Sequence, residues 1–68
     1  MSVLKVIEVL GNSTISFDDA VKNVVAEVSK TVKIIKSVYV KDMEAKATNN
    51  QVVQYPENTK VSFAIIEE

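Results

Sequence analysis

The chain has 68 residues, 47% of them hydrophobic and 25% charged, with no cysteine, histidine, tryptophan or arginine. It is short enough to be a single domain spanning residues 1–68. It can form no disulfide or thiolate zinc site, and it lacks both a thiol nucleophile and an imidazole proton shuttle. Eight lysines against nine acids give a net charge of -1 with the signs interspersed, which argues against a nucleic-acid binder and its basic face.

A domain this small buries only about 60% of its unfolded surface. Such domains usually lean on disulfides, a structural metal or a partner subunit. The partner subunit is the option left, so the composition points to a homo-oligomer. No apolar run approaches the roughly 20 residues of a membrane span, and the opening MSVLKVIEV has one lysine and no small-residue cleavage pattern. A cytoplasmic protein with neither a membrane nor a nucleic-acid partner is expected.

Residues 3–10, VLKVIEVL, predict a strand, since β-branched side chains suit a pleated surface. Val3, Lys5, Ile7 and Val9 point one way, and Leu4, Val6, Glu8 and Leu10 the other. Both faces are mostly apolar and both need cover. Gly11-Asn12-Ser13 is a loop signal that ends the strand. Ser16 predicts an N-cap, followed by Asp18 and Asp19 in a first turn where the helix dipole favours negative charge. Phe17, Ala20, Val21, Val24, Val25, Val28, Val32 and Ile35 recur at spacings of three and four, the apolar stripe of an amphipathic helix. Its β-branched residues have poor helix propensity, so packing must hold it.

From Lys36 the period returns to two, with Val38 and Val40 alternating with Ser37, Tyr39 and Lys41 up to about Thr48. Asn49-Asn50 predicts a two-residue hairpin turn, because asparagine tolerates positive φ. A final strand puts Val53, Tyr55, Thr59, Val61, Phe63 and Ile65 on one face. That turn sets Val38 against Val61, Val40 against Thr59 and Met43 against Pro56. Pro56 interrupts the ladder and predicts an edge or a bulge. The fold class is therefore α+β: a β-α-β-β subunit with a three-stranded antiparallel sheet curled around one helix. Hairpin strands of about 12 residues, against the usual ~5 to 6, overhang a single helix and need cover from another chain.

Catalytic chemistry is sparse, and no enzyme is expected. Ser13-Thr14-Ile15-Ser16 reads as loop plus cap, and no hydroxyl has a histidine to activate it. Asp18-Asp19 serves the helix start, and Glu67-Glu68 reads as a solvated tail. Asp42 and Glu44, two apart on a strand, share a face and are candidate oxygen ligands for a hard cation such as calcium, with a solvated face as the plainer reading. EF-hand spacing and a glycine-rich phosphate loop are both absent. Ser37, Tyr39, Lys41, Met43 and Pro56 form an outward face suited to a subunit interface or to a flat ligand.

The segment KVIEVLGNSTISFDDAVKNVVAEVSKTV resembles the first half of a dodecin. The closing QYPENTKVSFAIIEE is similar to the last strand of that family, in which a tyrosine is followed by a Val-Ser/Gly-Phe segment. The resemblance covers nearly the whole chain. It implies a hollow dodecamer of cubic symmetry that stores or sequesters flavins (FMN, riboflavin or FAD) without turnover. In flavin-binding dodecins a tryptophan at the start of the second strand stacks on the isoalloxazine ring. A glutamine just after the third-strand tyrosine hydrogen-bonds the ring's edge. These positions fall on Ser37 and Pro56, so neither residue is kept, and Tyr39 on the same face offers the nearest ring. Some dodecin-like proteins that lack the tryptophan are associated with calcium, so the alternative is a flavin-free dodecin-like shell that binds a divalent cation such as calcium, for which Asp42 and Glu44 are the candidates, or that serves a structural role.

Overall fold

The valine-rich opening forms strand β1 (Ser2–Gly11), with Gly11 as its last residue and Asn12-Ser13 in the loop that follows. The computed structural model describes residues 2–66, so the reading of Glu67-Glu68 as a tail lies outside the described residues. Helix α1 (Phe17–Val28) starts as the sequence indicates: Ser16 has extended backbone, and its Oγ accepts a hydrogen bond from the Asp19 N–H at 3.0 Å.

The helix stops well short of the predicted stripe, which runs on to Ile35. Val32 lies in the connecting turn, and Ile35 opens strand β2 (Ile35–Met43). The last turn tightens as the Lys30 and Thr31 N–H groups bond to the carbonyls of Glu27 and Val28, three residues back. The hydroxyls of Ser29 and Thr31 donate to the Ala26 and Val28 carbonyls. Side-chain hydroxyls thus satisfy the free end of the helix without a glycine. Val32 and Ile35 still pack against the core, which is why their spacing mimics two further turns.

The hairpin forms around Asn49 and Asn50, both at positive φ (54° and 62°). Its strands are broken in the middle. β3 (Lys46–Thr48) and β4 (Gln51–Gln54) make a separate two-stranded ribbon, and β5 (Glu57–Ile66) lies between β1 and β2 in an antiparallel sheet of order β1-β5-β2. Val38 faces Val61 and Val40 faces Thr59, as predicted. A register shift between Val40 and Asp42 then sets Met43 against Glu57 rather than Pro56. Pro56 has no N–H for the ladder, so β4 and β5 separate there.

Ala20, Val24, Val28 and Val61 are buried, and Ile7, Val9, Val32, Ile35 and Val38 pack around this cluster. Thr59 is also fully buried, and its hydroxyl donates to the Val9 carbonyl at 2.7 Å. Residues 44–54 are exposed throughout, forming an arm on a molecule of 54 × 19 × 13 Å. Among the described residues no helix is long and apolar enough to cross a membrane.

Gly11 is the tightest point between sheet and helix. A Cβ there would overlap Val24 Cγ2 and lie 3.3 Å from the Ala20 carbonyl oxygen. Gly11→Ala is expected to cost about 1–3 kcal/mol in denaturant unfolding. Prior Val24→Ala should remove much of that extra cost, because the obstructing methyl is gone; strict additivity of the two substitutions would contradict the packing described.

Candidate functional site

Two regions carry exposed or unsatisfied chemistry, and they meet at Leu10. On the outer face, alternate residues of β1 leave Leu4, Val6 and Leu10 exposed. β5 contributes Lys60 and Ser62, and β2 contributes Ser37, Tyr39 and Lys41. Tyr39 is 65% exposed and is paired across the ladder with Lys60, which in turn faces Glu8 of β1. Lys41 Nζ lies 3.9 Å from Glu8 Oε2, with both side chains largely in solvent. The attraction of that ion pair is therefore weak, and the two lysines remain available to an anion.

The predicted ligand positions do not all meet. Ser37 is registered against Ser62, while Pro56 lies six positions earlier on the same side of the hairpin. At ~3.3 Å per residue they are separated by ~20 Å within one subunit. Tyr39, two residues along from Ser37, shares its outward direction.

The second region is the joint between the body and the arm. Tyr55 packs edge-on against Phe17, with ring centroids 5.1 Å apart, and its N–H donates to the Ser13 carbonyl at 2.9 Å. The Glu44 N–H donates to the Pro56 carbonyl at 3.1 Å. Ser13 is buried; its hydroxyl donates to Asp19 Oδ2 at 2.7 Å and accepts from the Ile15 N–H at 2.8 Å. The hydroxyls of Ser13 and Ser16 are thus committed to the helix entry.

Glu57 opens β5 and is 3% exposed, on the same inward parity as Thr59 and Val61. Its Oε1 is buried without a hydrogen-bond partner. Burial pushes its carboxyl above the ordinary value of 4.5, and the charge of Asp18 pushes in the same direction. The sequence reading passed over Glu57. Its place in the alternation with Thr59 and Val61 was the signal that could have found it.

Asp42, Glu44 and Glu57 line one cleft of about 270 Å³, together with Leu10, Met43 and Pro56. Asp42 and Glu44 are themselves exposed. Among the described residues no group of three Asp, Glu, His or Cys side chains is placed to hold a metal ion. Asp42 and Glu44 are therefore neighbours in an acidic cleft, without a third ligand among the described residues.

The single helix against the sheet β1-β5-β2 and the broken hairpin can be set beside known proteins. A family model described as Dodecin matches residues 3–65. The chain belongs to the dodecin family. Among solved dodecins, that of Streptomyces coelicolor is 27% identical with a TM-score of 0.88, over 98% of this chain and 96% of that one. A variant of the Thermus thermophilus dodecin is 25% identical with a TM-score of 0.90, and each chain is covered completely. The calcium dodecin of Mycobacterium tuberculosis, described as calcium-chelating with a novel calcium-binding site, is 24% identical with a TM-score of 0.79, over 97% and 94%. No curated protein matches the chain. The dodecin likeness fixes the α+β fold and the β-α-β-β order across the domain.

The Glu57 carboxyl binds its proton more tightly in the folded chain than in the unfolded one. Stability is therefore expected to fall as pH rises from the ordinary carboxylate range through the raised value, and then to level off. Glu57→Gln should flatten that slope and be more stable than the parent at neutral pH, as read by urea unfolding between pH 4 and 8. Equal slopes in parent and variant would contradict the burial of the carboxyl.

Proposed function

We propose that this dodecin is a non-catalytic subunit of a closed homo-oligomer, a dodecamer, that sequesters a planar ligand of the flavin class between its copies. The observation that carries this reading is the exposed Tyr39 ring on an outer sheet face that also bears Lys41, Lys60 and the uncovered Leu4, Val6 and Leu10. An aromatic ring stacks on a planar ligand, and lysine ammonium groups attract a phosphate.

The ~20 Å between Ser37 and Pro56 means that a ligand touching both positions lies across two copies rather than within one subunit. Serine at the first position provides no aromatic ring to stack, and proline at the second provides no side-chain hydrogen bond. Stacking then falls to Tyr39, and electrostatic attraction to Lys41 and Lys60. The phosphate-bearing FMN should bind more tightly than riboflavin, with an affinity that weakens as salt rises. Absence of histidine and cysteine fits storage rather than turnover.

Titration of the purified protein into FMN and into riboflavin, followed by flavin fluorescence, tests this directly. Quenching is expected, stronger for FMN, and largely lost in Tyr39→Ala. Unchanged emission with both flavins would contradict the flavin reading.

A further inference from the structure

The cleft of about 270 Å³ at the start of β5 is charged with one sign only. Asp42 and Glu44 line it with exposed carboxylates, and Glu57 lines it with a side chain that is 3% exposed and whose Oε1 has no hydrogen-bond partner. Asp18, in the first turn of α1, adds a further negative charge near Glu57. β1 contributes only the uncharged Leu10 and Gly11. Among the described residues the two ion pairs, Lys30–Glu27 and Lys41–Glu8, lie elsewhere, so no lysine answers these carboxyls. A buried acid without a donor is costly, and like-charged neighbours add to the cost. Packing of neighbouring copies over the cleft would withdraw more water from it, so the need of a positive partner holds in an assembly as well as in one subunit.

The chemistry of that partner follows from the shape of the cleft. Its three carboxyls do not converge on one point, since among the described residues no group of three acids is placed to hold a metal ion. An elongated cation can instead meet the buried carboxyl and the exposed pair separately. Leu10, Met43 and Pro56 give the same cleft apolar walls, which suit a methylene chain. The volume falls just below the roughly 300–1,000 Å³ of a drug-sized pocket, the scale of a small molecule. An ammonium group offers three donors and no acceptor, and its hydrogen bonds to a carboxylate are about twice as strong as neutral ones.

The geometry points to a binding site for a small aliphatic diamine: one ammonium group on Glu57, the methylene chain along Leu10, Met43 and Pro56, and the second ammonium group on Asp42 and Glu44. The cation favours the ionised carboxylate that the empty cleft opposes. The site uses neither Tyr39 nor Lys60, so it stands whether or not a flavin binds the outer face.

Isothermal titration calorimetry of the assembled protein with putrescine, at neutral pH and low salt, tests the site. Saturable binding of one diamine per subunit is expected. Butylamine, with a single ammonium group, should bind about tenfold or more less tightly, because it leaves part of the acidic lining unpaired. Glu57→Gln keeps the size of the side chain and should lose putrescine affinity by a similar factor while holding the parent's mass in light scattering. In the parent, the Met43 methyl signal should shift in NMR as the site saturates. Calcium at equal concentration should leave putrescine bound. Absence of binding, as when a neighbouring copy's lysine already fills the cleft, would overturn the proposal. So would equal affinity in Glu57→Gln, an unmoved Met43 methyl at saturation, or displacement by calcium at equal concentration, the mark of a diffuse counterion.

Discussion

The helix Phe17–Val28 covers only the inner face of the sheet, and among the described residues nothing covers the outer one. Leu4, Val6, Leu10 and Tyr39 are left in solvent, along with Val52 and Val53 on the arm. With four buried apolar side chains among the described residues, the chain has little core of its own, and small domains gain stability steeply from any further apolar burial. The outer face is at once the obvious surface for a neighbouring copy and the place where a ligand would be enclosed. Fold, assembly and ligand reading all rest on that uncovered face.

The inner face is organised around a close approach. Gly11 lets β1 touch α1 beside Val24 and Ala20, and Thr59 ties β5 to β1 through its hydroxyl. Farther along the same strand the inward position is taken by Glu57, where a carboxyl replaces apolar packing at the edge of the core. Burial and the charge of Asp18 there oppose ionisation of the carboxyl. Close packing at Thr59 and Val61 and a buried carboxyl at Glu57 therefore occupy successive inward positions on a single strand.

Much of this was legible in the sequence. β-Branched composition located β1, alternation located β5, the Ser16 cap located the start of α1, and two asparagines located the turn and with it the pairing of Val38 and Val40. The helix end was not legible: Val32 and Ile35 keep a helical spacing because the turn after Val28 folds them back onto the same core. The shift at Val40–Asp42 was also hidden, since a bulge changes the pairing without changing the residue alternation that reports it. As for the site, the outward direction of Ser37 and Tyr39 could be read, but the distance from Ser37 to Pro56 needed the register. The inward parity of Glu57 was present in its alternation with Thr59 and Val61, but the neighbouring charge of Asp18 at the start of α1 is a long-range feature that the alternation does not report.

The central claim is that the uncovered sheet face is closed by other copies of the chain. Multi-angle light scattering on the purified protein at micromolar concentration addresses it most directly. A mass near twelve times the 7.5 kDa of one subunit is expected. A species of 7.5 kDa that persists over the same concentrations would contradict the account.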